Sequence, residues 1–198
     1  MIFNNIDLHL IFEPISHQYA PISKECQGEL ISNLEIKTCA KGEVIVREGQ
    51  NANKVFYVVQ GCARAYYLKD GRDITDWFAF EDEFTTAIIS FFGDEPSPHY
   101  IELLEDAILI ELTKEVVERL SQKFHDFEHL IRIAVTRTML QHQKRLSSIL
   151  FNTAEERYEQ IMLMYPNITN RVPLTHIASY LGMTLETLSR VRGARSRI

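Results

Sequence analysis

The sequence predicts an α+β chain: an N-terminal double-stranded β-roll with flanking helices, then a long dimerisation helix, then a C-terminal helix-turn-helix lacking an evident wing. Three observations predict it. Between Gly42 and Leu112, short runs of β-branched and aromatic residues alternate with glycines and acidic turns. From Thr113 to Tyr165 neither Gly nor Pro interrupts the chain, so helices can run there unbroken. Beyond Pro173, apolar and small residues fall where two crossed helices need them. The expected units are residues 1–120 for the roll, 121–150 for the long helix and 151–198 for the helix-turn-helix.

In chain order, the first 38 residues mix short apolar stretches with Pro14 and Pro21, and Ser23 to Leu34 has helical spacing, so one or two short helices are expected there. The strand candidates follow as Val44-Ile45-Val46, Val55 to Val59, Ala63 to Leu68, Ile74 to Phe80, Tyr100 to Leu104 and Ala107 to Leu112. Gly49, Gly61 and Asp70-Gly71 separate them, the last being a hairpin signal, and Glu105-Asp106 divides the final pair. Many short strands at close spacing mean a sandwich, barrel or roll. Thr113 to Leu120 opens helically, and the span up to Pro166 has room for a short helix, a long one and a third after Asn152.

On the long helix, about residues 125–150, Val135, Met139, His142, Leu146 and Ile149 step by 4, 3, 4 and 3, the heptad spacing of a coiled coil. A symmetric dimer is the natural partner for that seam, the alternative being that it packs on the chain's own roll. His142 would then meet its symmetry mate and respond to pH, unless it is simply solvated or hydrogen-bonded.

Leu174 to Arg192 carries the most specific pattern. Ala178 lets the second helix cross close to the first, Gly182 permits a positive φ in the turn, and Ile177, Leu181, Met183, Leu188 and Val191 fill the wedge. Pro173 suits the first turn of the leading helix and Thr184 is placed to cap the second. Glu186, Ser189 and Arg190 then project away from the wedge, on the face that would enter a major groove; Thr184 and Thr187 adjoin it. An acid in a first helical turn also stabilises the helix through its dipole, which is the plainer role for Glu186. Arg192, Arg195 and Arg197 suit phosphates better than base edges.

Charge and composition narrow the classes of function. Residues 171–198 carry five Arg against one acid, a net +4, while residues 1–170 carry 16 basic and 26 acidic side chains, a net −10. The positive patch lies where a DNA-binding module needs it. With 198 residues, 45% of them hydrophobic, the chain can bury one good-sized core or two small ones. There is no leader-like start and no run of about 18 apolar residues, so a soluble, cytoplasmic chain without membrane contact is expected. Cys26, Cys39 and Cys62 are widely spaced without a Cys-x-x-Cys pair, which suggests buried, reduced thiols. His9, His17 and His99 are unpatterned, no His-x-His occurs among the strands, and neither a Gly-x-Ser-x-Gly elbow nor a phosphate-binding Gly loop appears. No enzyme, catalytic residue, metal or cofactor is therefore expected. Phe78, Phe80, Phe84, Phe91, Phe92 and Tyr100 could line a small-molecule site, although such residues are more often core.

Two motifs add a resemblance. Lys41-Gly42-Glu43-Val44-Ile45-Val46-Arg47-Glu48-Gly49 followed by Val55-Phe56-Tyr57-Val58-Val59-Gln60-Gly61 is similar to the opening strands of cyclic-nucleotide-binding domains. Glu186-Thr187-Leu188-Ser189-Arg190 resembles the E-T-x-x-R recognition helix of Crp/Fnr regulators, and the two lie in that family's order over nearly the whole chain. The resemblance implies a homodimeric transcription regulator that reads a pseudo-palindromic operator on double-stranded DNA, with Glu186 and Arg190 as base-reading residues. It also allows RNA polymerase as a partner, and it implies that the sensor acts by changing how the long helices pack. Three departures qualify it. Leu185 stands where the family often has a further Arg, so the DNA target differs. The stretches corresponding to the family's phosphate site, around Phe84, Thr85, Thr86, Ser97 and His99, lack its Arg, and no Lys or Arg occurs between Arg72 and Lys114, so cyclic AMP and cyclic GMP are not expected to bind. Six residues after Arg192 leave no room for the family's two-stranded wing. The competing reading is a ligand-sensing or protein-interaction roll whose degenerate C-terminal domain binds DNA weakly or not at all.

Overall fold

The structure, a computed structural model, describes residues 8–195. Eight strands build the roll: β1 (Glu35–Cys39), β2 (Val44–Val46), β3 (Lys54–Gln60), β4 (Ala63–Lys69), β5 (Arg72–Ala79), β6 (Phe84–Thr85), β7 (Tyr100–Leu103) and β8 (Ala107–Thr113). They form two antiparallel four-stranded sheets, ordered β1-β8-β3-β6 and β2-β7-β4-β5. Alternate residues of each strand face the other sheet, and Val58, Ala65, Ile101, Leu103 and Leu109 meet in the space between. Two turns show why particular residues stand in them. Asp70 and Gly71 both have positive φ, 51° and 72°, as the tight β4–β5 hairpin requires. At Gly61 a Cβ would lie 2.8 Å from the Cβ of Ala107, so only glycine lets the β3–β4 connection pass so close to the start of β8.

Four features depart from the sequence expectation. Residues 35–39 are an edge strand rather than the end of a helical region, because Glu35 to Cys39 pairs along its length with Glu111 to Ala107. The two-residue β6 and the short helix α3 (Ile88–Gly93) occupy an aromatic-rich stretch with no usable periodicity. Pro173 lies at the N-cap of its helix rather than inside the first turn. Ahead of the roll, α1 (Leu8–Gln18) and α2 (Lys24–Asn33) are the two short helices, the second capped by the Ser23 hydroxyl, which accepts from the Cys26 amide at 3.3 Å.

After β8 come α4 (Lys114–Lys123) and the 27-residue α5 (His125–Phe151). With α1 and α2 they cover the outer face of the first sheet, where Phe12, Ile15, Leu30, Leu120, Phe127 and Leu130 pack on Tyr57, Ile110 and Leu112. β3 and β8 are thus buried on both faces, which is why they read as nearly continuous apolar runs. Farther along, α5 is held to the end of α1 by Arg137, which donates to the Gln18 carbonyl, while Met139 and Leu146 are 61% and 53% exposed.

The C-terminal unit comprises α6 (Ala154–Met164), α7 (Ile168–Arg171), α8 (Leu174–Tyr180) and α9 (Leu185–Arg195). Thr153 and Glu156 form a capping box at the start of α6. Tyr158, Ile161, Ile168, Ile177, Leu188 and Val191 form its core, which is continuous with Cys62, Phe78, Phe80 and Leu104 of the roll. All three cysteines are free and buried.

Candidate nucleic-acid interface and roll cavity

The turn between α8 and α9 follows from local chemistry. Gly182 takes φ +63°, the Gly182 and Met183 amides bond back to the carbonyls of Ser179 and Ala178 at 3.1 and 3.0 Å, and α8 ends there. The Thr184 hydroxyl accepts from the Thr187 amide at 3.2 Å, capping α9, and donates to the Thr187 hydroxyl. Leu188 and Val191 point into the core. Thr184, Glu186, Ser189 and Arg190 are exposed, Thr187 and Arg192 are half-buried, and the side chain of Arg195 lies outside the described residues, as does Arg197. Its own backbone amide in the helix's first turn, with the Thr184 hydroxyl, holds the Glu186 carboxyl below the usual range, so this acid serves its helix whatever else it contacts. The strip Glu186-Ser189-Arg190 is a candidate nucleic-acid interface: one flat guanidinium and one carboxylate, on the open face of a braced helix.

The sequence reading counted Arg171 in the positive patch, and the structure removes it. Its guanidinium faces the roll, donating to Glu81 at 2.7 and 2.8 Å and to Glu105 at 2.6 Å. It belongs to a set of contacts fastening the C-terminal unit to the roll. Tyr165 donates its hydroxyl to Glu83 at 3.2 Å. The amide of Thr75, on the edge strand β5, donates to Ser179 of α8 at 2.9 Å. Arg145 of α5 donates to the carbonyls of Tyr180 and Thr75, each at 3.1 Å. Arg64 is only 3% exposed and reaches Glu102, Asp73 and the His176 ring within 2.8 Å. Sequence reasoning named none of these as a group. The one signal was Arg64 itself, a long cation between two alanines at the start of a strand.

The predicted seam on α5 faces in two directions. Val135, Met139, His142 and Leu146 line a cavity of about 500 Å³ between α5 and the body of the chain, while Ile149 lies beside Gly182. Within the chain, the half-buried His142 ring packs on Trp77 with centroids 4.8 Å apart. Of the stretches expected to hold a ligand, Phe84, Thr85, Thr86 and His99 line the same cavity, and Ser97 stands behind them, donating its hydroxyl to the His99 carbonyl at 2.7 Å. Phe91 and Phe92 also line it, whereas Phe78 and Phe80 join the C-terminal core and Tyr100 stacks on Tyr66. Neither Lys nor Arg contributes to the cavity wall among the described residues.

The cyclic nucleotide-binding domain family matches residues 36–124. Electron transport regulator A of Shewanella oneidensis is 24% identical over 175 residues, covering 79% of this chain and 67% of that protein. The transcriptional activator protein FnrA of Stutzerimonas stutzeri is 26% identical over 164 residues, covering 76% and 66%. The matched stretches therefore span about two thirds of these relatives' own lengths. The structure of FixK2 from Bradyrhizobium japonicum superposes with a TM-score of 0.69 at 23% identity, covering 81% of this chain and 83% of that one, a likeness of fold.

Proposed function

We infer that the chain is a transcription regulator of the Crp/Fnr type, the family whose roll, helix order and regulatory relatives it shares. It acts as a homodimer on double-stranded DNA, with α9 of each protomer entering the major groove at one half of a pseudo-palindrome. Such half-sites lie roughly 34–36 Å apart. The observation that carries this reading is the exposed Glu186-Ser189-Arg190 face, presented by a helix whose other side is locked into the core through Leu188 and Val191. Arg190 suits the paired acceptors of a guanine edge and Glu186 a cytosine amino group. The acidic roll keeps the rest of the surface off the duplex, which favours approach through α9.

The sensor works without a cyclic nucleotide. A phosphodiester brought to the cavity would find no Lys or Arg in its wall among the described residues, and burying an unpaired charge is strongly unfavourable. The test of the regulator reading is selection of bound duplexes from a random pool by the full-length protein, followed by salt titration of the best binder. An enriched inverted repeat with steep salt dependence is expected. Arg190→Ala should weaken that complex by about 1–3 kcal/mol and relax preference at one position of each half-site. No enrichment at low salt, or an Arg190→Ala protein with unchanged affinity and preference, refutes the assignment of this face.

A further inference from the structure

We propose that the cavity between α5 and the roll is a binding site for an uncharged, largely apolar small molecule bearing one hydrogen-bonding group, and that the imidazole of His99 anchors that group. This deepens the sensor half of the regulator reading and relies on it for the consequence of binding, not for binding itself.

The volume, about 500 Å³, is within the range of small-molecule sites, roughly 300–1,000 Å³. The wall is made mostly of aliphatic and aromatic side chains from several elements, among them Phe12, Phe91, Leu130 and Met139. Its charge inventory selects against ions of either sign. Among the described residues there is no Lys or Arg for an anion, and the one Asp or Glu in the wall, Asp76, already faces Arg145 at 3.5 Å. An uncharged ligand avoids that desolvation cost.

His99 supplies the polar feature. It is 5% exposed, and neither Nδ1 nor Nε2 has a hydrogen-bond partner among the described residues. Its backbone is held by Ser97, whose hydroxyl accepts from the His99 amide at 3.3 Å and donates to its carbonyl at 2.7 Å, while its ring meets Tyr67 edge-on at 5.4 Å. That aromatic contact would be made equally well by phenylalanine, so packing alone gives no reason for nitrogens here. Buried polar atoms without partners are uncommon and costly, and in a cavity wall they mark where a ligand can complete the bond. Burial keeps the ring on the neutral side, with its pKa below the ordinary histidine value, so it offers one acceptor and one donor to a ligand hydroxyl or amine. Trp77, the single tryptophan of the chain, flanks the cavity with its ring packed against His142.

The experiment titrates the full-length protein with N-phenylnaphthylamine, an uncharged aromatic probe of three rings with one N–H. Probe emission reports binding, and energy transfer from Trp77 places the probe beside this cavity. Saturable binding of one probe per chain is expected, undisturbed by excess cyclic AMP. In His99→Phe it should weaken roughly tenfold, the loss of one buried hydrogen bond. If that variant does not fold, Ala134→Phe, which fills the α5 wall, decides the matter by abolishing transfer. Unsaturable binding, absence of transfer, or affinity unchanged in the folded variants overturns the proposal. Probe binding without enrichment of any duplex would sink the regulator reading and leave the site standing, and the reverse result would do the opposite.

Discussion

At Gly182 the backbone sits at φ +63°, in open space apart from ordinary contacts with Arg157 and Ile149. An added methyl group is therefore penalised by the left-handed backbone and not by crowding. Gly182→Ala is expected to lower stability by about 1–2 kcal/mol in urea unfolding. A neutral result would mean that the α8–α9 turn relaxes to another geometry. Glu83 shows a second decision made by a single residue. Burial pushes its carboxyl up to about 7, even though the Phe80 amide and the Tyr165 hydroxyl both donate to it. Between its usual 4.5 and about 7 the folded chain therefore binds more protons than the unfolded one. Its contribution is complete below that window and is lost as pH rises through it, with a slope of at most about 1.4 kcal/mol per pH unit. Glu83→Gln cannot ionise, so its unfolding free energy should be flatter between about pH 5 and pH 7. Parallel wild-type and variant curves would show that Glu83 is ionised throughout.

Among the elements, α5 has the most divided role. Its first turns are anchored by Phe127 and Leu130, its middle lines the cavity, and its apolar seam remains open to solvent at Met139 and Leu146. A second α5 packed on that seam would cover it and close the same side of the cavity, so occupancy and dimer geometry would be felt by one helix. Met139→Glu puts two like charges on that seam in a symmetric pair. Sedimentation should then show a shift toward monomer, and an unaltered dimer would place the interface elsewhere. On the opposite side, α8 completes the edge of β5, with the Thr75 amide bonded to Ser179. An otherwise open strand edge is thereby covered by the first helix of the helix-turn-helix, leaving α9 outward.

For the molecule as a whole, the roll and the C-terminal unit are joined by a shared apolar core ringed with ion pairs. Arg171 is the largest of these, one guanidinium between Glu81 and Glu105. Arg171→Ala leaves two carboxylates facing each other without a cation. A stability loss of about 1–3 kcal/mol and faster proteolytic cleavage in the segment leading to α6 are expected. Unchanged cleavage would mean that the apolar contacts of Phe78 and Phe80 hold the unit alone.

How much of this was legible in the sequence depends on the range of the interactions. Strands β2, β3, β4, β5, β7 and β8, the Asp70-Gly71 hairpin, the Gly182 turn, the Thr184 cap and the inward and outward faces of α9 are set by period, turn chemistry and capping within a few residues. Those could be read directly. β1 and β6 could not, since five and two residues become strands only by pairing with β8 and β3. The fate of His142, the withdrawal of Arg171 from the positive patch, the burial of Arg64 and the isolation of His99 were likewise invisible. Each depends on which distant side chain stands opposite, as Trp77 does for His142 and Glu81 for Arg171. By itself the sequence determined the kinds of element and their order, because those are local. Tertiary structure alone decided which charges are neutralised, which apolar face borders a cavity and which polar atoms lack a partner, because burial and ion pairing are properties of neighbours brought together by folding.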